Sequence, residues 1–225
     1  AAYADQIDLD FLEEDLPKLL NSMELGAERI RGIVRSLQLF SRLDESDLKR
    51  VDIHEGLDST LTILNHRLKG SETQPAIAIE QHYDRALPPI ECYAGQLNQV
   101  FMNLLANAID ALTEAATPEP KITIQTEAAT PTTLRITIAD NGPGIPTAIQ
   151  SKIFDAFFTT KPVGKGTGMG LSISYQVITE RHRGSLQCQT APGQGATFTI
   201  EIPIEQTPAP LDGTGDRPAA VSLTR

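Results

Sequence analysis

The segment from Gly95 to Leu112 limits what this chain can fold into more than any other stretch. Its apolar residues recur every three or four positions, which predicts a helix with one broad face packed into a core. These residues are Leu97, Val100, Phe101, Leu104, Leu105, Ala108 and Leu112. Because the apolar face is wide, we expect the rest of the domain to pack around this helix.

The opposite face of this helix carries a row of polar residues. Asn103, Asn107 and Asp110 stand at positions i, i+4 and i+7, so they lie along one line of the helix surface. Asn is unfavourable inside a helix unless its side chain has a partner or a ligand. The row is therefore either a solvated surface or one wall of a binding site, and this segment alone leaves both interpretations open.

Composition and charge narrow the possible functions. The chain has 225 residues, enough for one domain and an extension, and no apolar run approaches the roughly 18 residues of a membrane span. A formal net charge of -10 argues against nucleic acid as a partner, because a phosphate backbone attracts basic surfaces. Cys92 and Cys188 have no metal-ligand spacing and predict inert core thiols in a reducing compartment. We therefore expect a cytoplasmic location and no membrane contact.

The N-terminal part of the chain has a different period. Between Leu16 and Leu37 the apolar residues follow alternating gaps of four and three, which is typical of a coiled coil or a helical bundle. Such a seam either packs on the domain that follows or pairs with a second copy, and a homodimer is the favoured interpretation. We expect a dimerising helix over residues 1–48, a main domain over 49–205 and a disordered tail over 206–225.

The main domain alternates strand and helix patterns from its start. Arg50 to Ile53 reads as a short strand, and Ile77 to Tyr83 alternates like another. Between them, His54 to Leu68 predicts an amphipathic helix with Asp52 as its N-cap.

Two further pairs of alternating segments predict antiparallel hairpins. The first pair is Lys121 to Thr126 with Leu134 to Ala139, and the second is Ser185 to Thr190 with Ala196 to Ile202. Helices on one side of a mixed, largely antiparallel sheet give an α+β fold, a two-layer α/β sandwich.

The segment between the two hairpins contains three spaced motifs. Directly after a strand comes Asp140 to Pro146, DNGPGIP, in which glycines let the backbone turn and approach a ligand closely, although alone it reads equally well as a tight turn. Phe154, Phe157 and Phe158 follow as apolar anchors. A glycine-rich stretch from 164 to 170 then leads into a helix predicted from Leu171 to Arg181. Backbone N–H groups before a helix N-terminus favour phosphate, so the three motifs in order predict a nucleotide polyphosphate site.

These motifs resemble the catalytic, ATP-binding domain of bacterial sensor histidine kinases. The Asn103–Asn107 helix is similar to the family's asparagine box, DNGPGIP to its first glycine box, FDAFFTT to its phenylalanine box and GKGTGMGLS to its second glycine box. The resemblance covers about Val51 to Ile204 and implies the GHKL, or Bergerat, ATP-binding fold. It also implies a bundle helix before the domain, ATP and Mg²⁺ as cofactors, a homodimer and a response-regulator receiver domain as partner.

The resemblance assigns roles to individual residues. Asn107, with Asn103 beside it, would coordinate Mg²⁺ through a carboxamide oxygen, a hard ligand suited to a hard cation. Asp140 would accept the adenine amino group, and Lys161 and Lys165 would neutralise phosphate charge, although loop lysines are often merely solvated. The other expected nucleotide contacts are Asp110, Gly142, Gly144, Ile145, Phe157, Thr160, Gly166, Thr167, Gly168, Met169, Gly170 and Leu171.

Position 103 distinguishes branches of the superfamily that this chain resembles. ATP-hydrolysing relatives carry a water-activating Glu four residues before the metal-binding Asn, and this chain has Asn103 there. A carboxamide is not basic, so phosphoryl transfer to a protein is favoured over hydrolysis. Asp110 replaces the basic residue of some kinases, which moves the task of stabilising the transferred phosphate to Lys161, Lys165 and the metal.

The histidine that would accept the phosphoryl group is not evident in this sequence. His54 precedes Glu55, as in the family's acceptor motif, but it begins a helix of the main domain. His66, His82 and His182 are interpreted as surface or helix-end side chains. We expect the acceptor helix to lie upstream of Ala1. A degenerate nucleotide-binding signalling module and a GHKL-type ATPase remain the alternatives.

Overall fold

The computed structural model describes residues 15–16, 20, 47–70, 74–161 and 167–206. The helices of the domain are α1 (Ile53–Leu68), α2 (Ala94–Glu114), the single-turn α3 (Thr147–Gln150) and α4 (Gly170–Gln176). The strands are β1 (Lys49–Val51), β2 (Ala78–Tyr83), β3 (Ile90–Cys92), β4 (Lys121–Thr130), β5 (Thr133–Asp140), β6 (Ser185–Thr190) and β7 (Ala196–Pro203).

Five strands form one mixed sheet in the order β2-β4-β5-β7-β6. β2 runs parallel to β4, and the remaining neighbours are antiparallel, including the predicted hairpins β4–β5 and β6–β7. β1 and β3 form a separate antiparallel pair. The helices α1 and α2 pack together, and α2 also contacts α4 and β5. The predicted α+β two-layer architecture is confirmed.

The core lies between the sheet and α2. Alternate residues of the sheet are buried against the helices, whereas their neighbours, such as Thr123 and Gln125, face away. All seven apolar residues predicted for the buried face of α2 are buried, together with Ile109. Burial of each side chain of this set larger than alanine contributes about 1.5–3 kcal/mol. The wide apolar face thus fixes which side of α2 is left for the polar row.

α1 begins one residue earlier than predicted, and the strand before it ends two residues earlier. The strand ends at Val51 rather than at Ile53, because Asp52 is the N-cap of α1 and its Oδ1 accepts a hydrogen bond of 2.9 Å from the backbone N–H of His54. Ile53 is then the first helical residue, and its side chain is buried. β3, only three residues long, gave no alternation in the sequence and was not predicted.

The helix predicted from Leu171 to Arg181 ends differently from an ordinary α-helix. α4 continues as a π-helical turn over Val177–Arg181, and the turn is followed by His182. His182 was interpreted as a surface or helix-end side chain: it does stand at the helix end, but it is fully buried, so the surface interpretation was wrong. Its Nε2 accepts the backbone N–H of Tyr93 at 3.1 Å, and its Nδ1–H therefore donates to the Val177 carbonyl at 2.9 Å. The neutral ring joins the end of this helix to the start of α2.

The pKa of His182 is lowered from its ordinary value by burial. The unfolded chain takes up a proton near the ordinary pKa of about 6.5, whereas the folded chain resists it, so the free energy of unfolding falls as pH drops below that value. We expect a lower thermal midpoint at about pH 5.5 than at about pH 7.5. His182→Gln should flatten this dependence, and the exposed His66→Gln should leave it intact. An equal pH dependence in both variants would contradict this role.

The remaining sequence predictions concern the two ends of the chain, His54 and membrane spans. Most of the seam between Leu16 and Leu37, and residues 207–225 of the predicted tail, lie outside the described residues. Gln206, the first residue of that predicted tail, is buried and donates to the His182 carbonyl at 3.2 Å. His54 lies in the first turn of α1, one residue after the helix begins, and its ring is buried, stacks on Tyr83 and meets the Thr126 hydroxyl at 2.9 Å. In the described part of the chain, no helix is both long and apolar enough to cross a bilayer.

Candidate functional site

A cavity of about 930 Å³ lies between the polar face of α2 and the chain between β5 and α4. α2 contributes Asn103, Asn107 and Asp110 to one wall. The end of β5 contributes Asp140, and residues 143–146 continue the wall from it. Residues 158–161, 167–168 and 170–171 close another side. The polar row is therefore a wall of a site rather than a solvated surface.

The two asparagines of the row have different surroundings. Asn103 donates through Nδ2 to the Gly170 carbonyl at 3.0 Å and to the Ser174 hydroxyl at 3.2 Å, so it ties α2 to the start of α4. Among the described residues, none makes a hydrogen bond with the side chain of Asn107. Because a polar side chain at a cavity wall normally has a partner, Asn107 is available to a ligand.

The carboxylate of Asp110 holds two cations. Lys161 donates to Oδ2 from the segment before α4, and Arg67 donates to Oδ1 from the last turn of α1. All three side chains are partly buried. Lys161 is therefore at the cavity wall, as predicted for a phosphate-binding charge, but its ammonium group is paired with Asp110.

Asp140 lies at the end of β5 with one oxygen held by the backbone. Oδ1 accepts the N–H of Gly142 at 2.9 Å and that of Ala196 at 3.3 Å. No hydrogen bond from the described residues reaches Oδ2. Burial raises the pKa of this carboxyl above its ordinary value. Because two backbone N–H groups hold Oδ1 in place, Oδ2 is left as an acceptor suited to an N–H donor of a ligand.

Apolar side chains line the end of the cavity near Asp140. They come from the loop after β5, from α3 and the segment after it, from α4 and from β7, and they can cover the faces of a planar ring. These residues are Ile145, Ile149, Ile153, Leu171 and Phe198. The loop is fixed by the N–H of Ile145, which donates to the Thr190 hydroxyl at 2.9 Å.

Two glycines of the motifs are required by their conformation. Gly144 has φ +70°, and a Cβ atom there would meet the Ala191 carbonyl oxygen at 2.1 Å. Gly168 has φ +65°, and its Cβ would meet the Phe157 carbonyl carbon at 2.5 Å. Any larger residue at either position would push the backbone of the cavity wall aside.

Gly168→Ala should therefore weaken the binding of the ATP that the resemblance implies by about tenfold, since strain of this kind costs about 1–3 kcal/mol. Gly193→Ala is a matched control, because Gly193 also has positive φ (+77°) but has open space around it. Titration calorimetry should show unchanged ATP affinity for Gly193→Ala. Equal effects of the two substitutions would show that the contact with Phe157 has no role in the site.

Most of the sequence-predicted site residues meet at this cavity. On its wall are Asn103, Asn107, Asp110, Asp140, Gly144, Ile145, Thr160, Lys161, Thr167, Gly168, Gly170 and Leu171. Gly142 is off the wall and fixes Asp140 through its N–H. Met169 also lies off the wall. Phe157 has φ +67° and is 74% exposed, and its neighbour Phe158 faces the cavity in its place. Lys165 and Gly166 lie outside the described residues.

Arg67 is the main residue at this site that was not predicted. It is 43 positions away from Asp110 in sequence, and in α1 it reads as an ordinary basic residue near a helix C-terminus. Only the packing of α1 against α2 brings it to the carboxylate. Ile149, Ile153 and Phe198 also reach the cavity wall through tertiary packing, and none of them belongs to a sequence motif.

Comparison with known proteins adds independent information. Residues 93–206 match the family model described as histidine kinase-, DNA gyrase B-, and HSP90-like ATPase. The chain is 35% identical over 177 residues to the signal transduction histidine-protein kinase AtoS of Escherichia coli, covering 79% of this chain and 27% of AtoS. It is 30% identical over 216 residues to the sensory histidine kinase/phosphatase NtrB of Rhodobacter capsulatus, covering 91% of this chain and 57% of NtrB. The chain thus spans only part of each relative.

Solved structures give the same result. The catalytic domain of histidine kinase ThkA superposes with a TM-score of 0.60 at 29% identity, over 71% of this chain and 99% of that domain. Full-length ShkA in complex with AMPPNP gives a TM-score of 0.63 at 26% identity, over 87% of this chain and 40% of ShkA.

Proposed function

Because the chain belongs to the histidine kinase-, DNA gyrase B-, and HSP90-like ATPase family, we propose that its cavity binds Mg·ATP for phosphoryl transfer to a histidine. The acceptor histidine would lie on a helix upstream of Ala1. One observation carries this proposal: the polar row Asn103, Asn107 and Asp110 faces the same cavity as the Asp140 carboxylate and the glycine-rich backbone before α4.

The adenine end of the ligand fits beside Asp140. The free carboxylate oxygen would accept the adenine amino group, while Gly142 and Ala196 hold the other oxygen in place. The apolar wall formed by Ile145, Ile153 and Phe198 would cover the base and exclude water from it. ShkA, a structural relative of the chain, is described as a complex with AMPPNP. This agrees with an adenine nucleotide as the ligand here.

The phosphate end fits the asparagines and one lysine. Mg²⁺ binds oxygen ligands and usually retains waters and substrate phosphates, so one or two carboxamide oxygens suffice from the protein. Asn107 fits this need because its side chain is unengaged among the described residues, and Asn103 can also offer its Oδ1 because its two hydrogen bonds are made through Nδ2. Mg²⁺ supplies charge neutralisation to the phosphates when bound. Lys161, at the same wall, would contact a phosphate oxygen directly.

Transfer to a protein is favoured over hydrolysis by Asn103. A water-activating base would have to stand four residues before Asn107, and Asn103 is not basic. Its Nδ2 also donates to Gly170 and Ser174, so Asn103 holds α4 against α2 as well. The reaction then depends on an external nucleophile that is brought to the γ-phosphate.

We also propose the partners of the parent protein from its relatives. One of them is the two-component sensor PprA of Pseudomonas aeruginosa, 32% identical over 211 residues that cover 93% of this chain and 22% of PprA. This similarity supports a response-regulator receiver domain as the recipient of the phosphoryl group. A homodimer through the N-terminal seam and a cytoplasmic location belong to the same proposal.

Two other functions predict different behaviour. A GHKL-type ATPase would release phosphate steadily, and a degenerate signalling module would bind ATP but never transfer it. The asparagine at position 103 argues against the first, and the intact cavity with Asn107, Asp140 and Lys161 argues against the second.

The proposal is tested by incubating the chain with Mg²⁺ and ATP labelled at the γ-phosphate, with ATP affinity measured in parallel. We expect binding of ATP, no steady phosphate release and no stable label on the chain itself. Steady release that disappears in Asn107→Ala would identify an ATPase. Stoichiometric, acid-labile phosphate on the chain would show that an acceptor histidine lies within it.

A further inference from the structure

The carboxylate of Asp110 joins two cations that come from distant parts of the chain. Arg67 lies at the end of α1, 43 positions from Asp110, and Lys161 lies in the segment before α4, 51 positions from it. Each cation takes a different oxygen of the carboxylate. The exposed fractions of the three side chains, 31% for Arg67, 29% for Asp110 and 24% for Lys161, place the group at a half-buried position.

The two cations differ in their access to a ligand. Asp110 and Lys161 both line the cavity, whereas Arg67 is behind Asp110 and is not on the wall. Lys161 can therefore reach a phosphate, and Arg67 can act on a ligand only through Asp110. The formal charge of the three groups together is positive by one unit.

The pairing of Lys161 with Asp110 raises a difficulty for phosphate binding. To contact a phosphate fully, the ammonium group has to give up part of its contact with the carboxylate. A half-buried carboxylate left without a counter-charge is unfavourable, because desolvation is no longer compensated. With Lys161 as its only partner, Asp110 would compete with the nucleotide for the lysine.

We propose that Arg67 is a positioning residue for phosphate binding, a role that rests on the proposed function. By holding Oδ1, Arg67 keeps Asp110 neutralised when the Lys161 ammonium turns from Oδ2 towards a nucleotide phosphate. Arg suits this role because its guanidinium stays charged and holds a carboxylate in a fixed geometry. The basic charge that is missing from position 110 of α2 is thus replaced from α1.

If Arg67 only tied α1 to α2, it would make the same contact with Asp110. The two roles differ in their effect on the binding of ATP and of adenosine. A tie stabilises the whole cavity, so its loss would weaken binding of adenosine and of ATP alike. A positioning residue acts on the phosphate end, so its loss would weaken the binding of ATP and leave that of adenosine unchanged.

The test measures the affinities of ATP and adenosine for the full chain and its variants by titration calorimetry. Arg67→Gln should weaken ATP binding by about fivefold, the coupling expected of a half-exposed ion pair, without changing adenosine binding. Arg67→Lys should restore most of the ATP affinity. Asp110→Asn combined with Arg67→Gln should also restore it, because no carboxylate then retains Lys161.

Arg135→Gln is the matched control. Arg135 is likewise paired with two carboxylates, Glu127 and Glu201, but on the sheet and away from the cavity, and the substitution removes the same charge. It should leave both affinities unchanged. Equal losses for ATP and adenosine in Arg67→Gln, or unchanged ATP affinity, would overturn the proposal for Arg67 while leaving ATP binding intact. Failure of the unmodified chain to bind ATP would instead overturn the proposed function and this role with it.

Discussion

Replacing Asn107 by Ala is expected to lower phosphoryl transfer from ATP at least about 100-fold. Stabilisation of phosphoryl charge by a metal is worth several kcal/mol, and each 1.4 kcal/mol is tenfold in rate. Asn107 lies on the cavity wall and its side chain makes no hydrogen bond with the described residues, so its removal takes away a ligand oxygen without breaking a structural contact. Transfer is measured with γ-labelled ATP in a longer chain that includes the proposed acceptor helix.

Asn98→Ala is the matched control for this substitution. Asn98 is on the same helix but lines a separate small cavity next to α1 and β3. Its loss should leave transfer within about twofold, as expected for a surface change far from the site. Full transfer by Asn107→Ala would contradict the assignment of Asn107 as a metal ligand, since the rest of the site would then supply the catalysis alone.

Asp140→Asn is expected to weaken ATP binding by about 10- to 100-fold, the loss typical of a hydrogen bond to a charged group. The side chains of Asp and Asn have the same shape, but Oδ1 of Asp140 already accepts the N–H groups of Gly142 and Ala196. An amide must therefore turn its oxygen towards those donors and its NH₂ group towards the cavity. Two donors, the NH₂ group and the adenine amino group, would then face each other.

The control for Asp140→Asn is Asp47→Asn, which removes the same charge from an exposed position. Asp47→Asn should leave ATP affinity unchanged, because it changes the net charge without changing the site. GTP carries a carbonyl oxygen instead of an amino group at the same ring position, so it should bind Asp140→Asn better than it binds the unmodified chain, because the NH₂ group can donate to that oxygen. Equal affinity of Asp140→Asn and the unmodified chain for ATP would show that Asp140 is not the adenine acceptor.

The main elements of the fold could be predicted because their signals are local. The apolar period of α2 and the alternation of the two hairpins each extend over enough residues to fix the type of element. The N-cap at Asp52 was also predicted from sequence and is present. The resemblance to sensor histidine kinases, based on four motifs, is confirmed by the family match over residues 93–206 and by the histidine kinase relatives.

The parts that could not be predicted depend on tertiary packing. His182 is polar and close to a helix end, yet the fold buries it because both ring nitrogens find backbone partners. Phe157 and Phe158 are adjacent and equally apolar, so only the backbone conformation decides that Phe158 faces the cavity. Arg67 meets Asp110 because α1 packs on α2. None of these contacts leaves a periodic pattern in the sequence.

Among the predicted nucleotide-site residues, too, local geometry could be predicted from sequence and tertiary contacts could not. Asn103, Asn107 and Asp110 could be placed together because helical geometry fixes their common face. Whether Lys161 was free could not be known from sequence, because its partner is on another element. The roles of these residues towards Mg²⁺ and ATP stay predictions that the substitutions above test.

The central claim is that this domain passes the γ-phosphoryl group of ATP to a histidine. The most direct measurement follows label from γ-labelled ATP in a longer chain that carries an upstream histidine-bearing helix. We predict label on histidine, identified by its acid lability, which is absent after Asn107→Ala and absent from the chain described here. Tight ATP binding without any labelled histidine in the longer chain would contradict the claim and would identify the domain as a nucleotide-binding module.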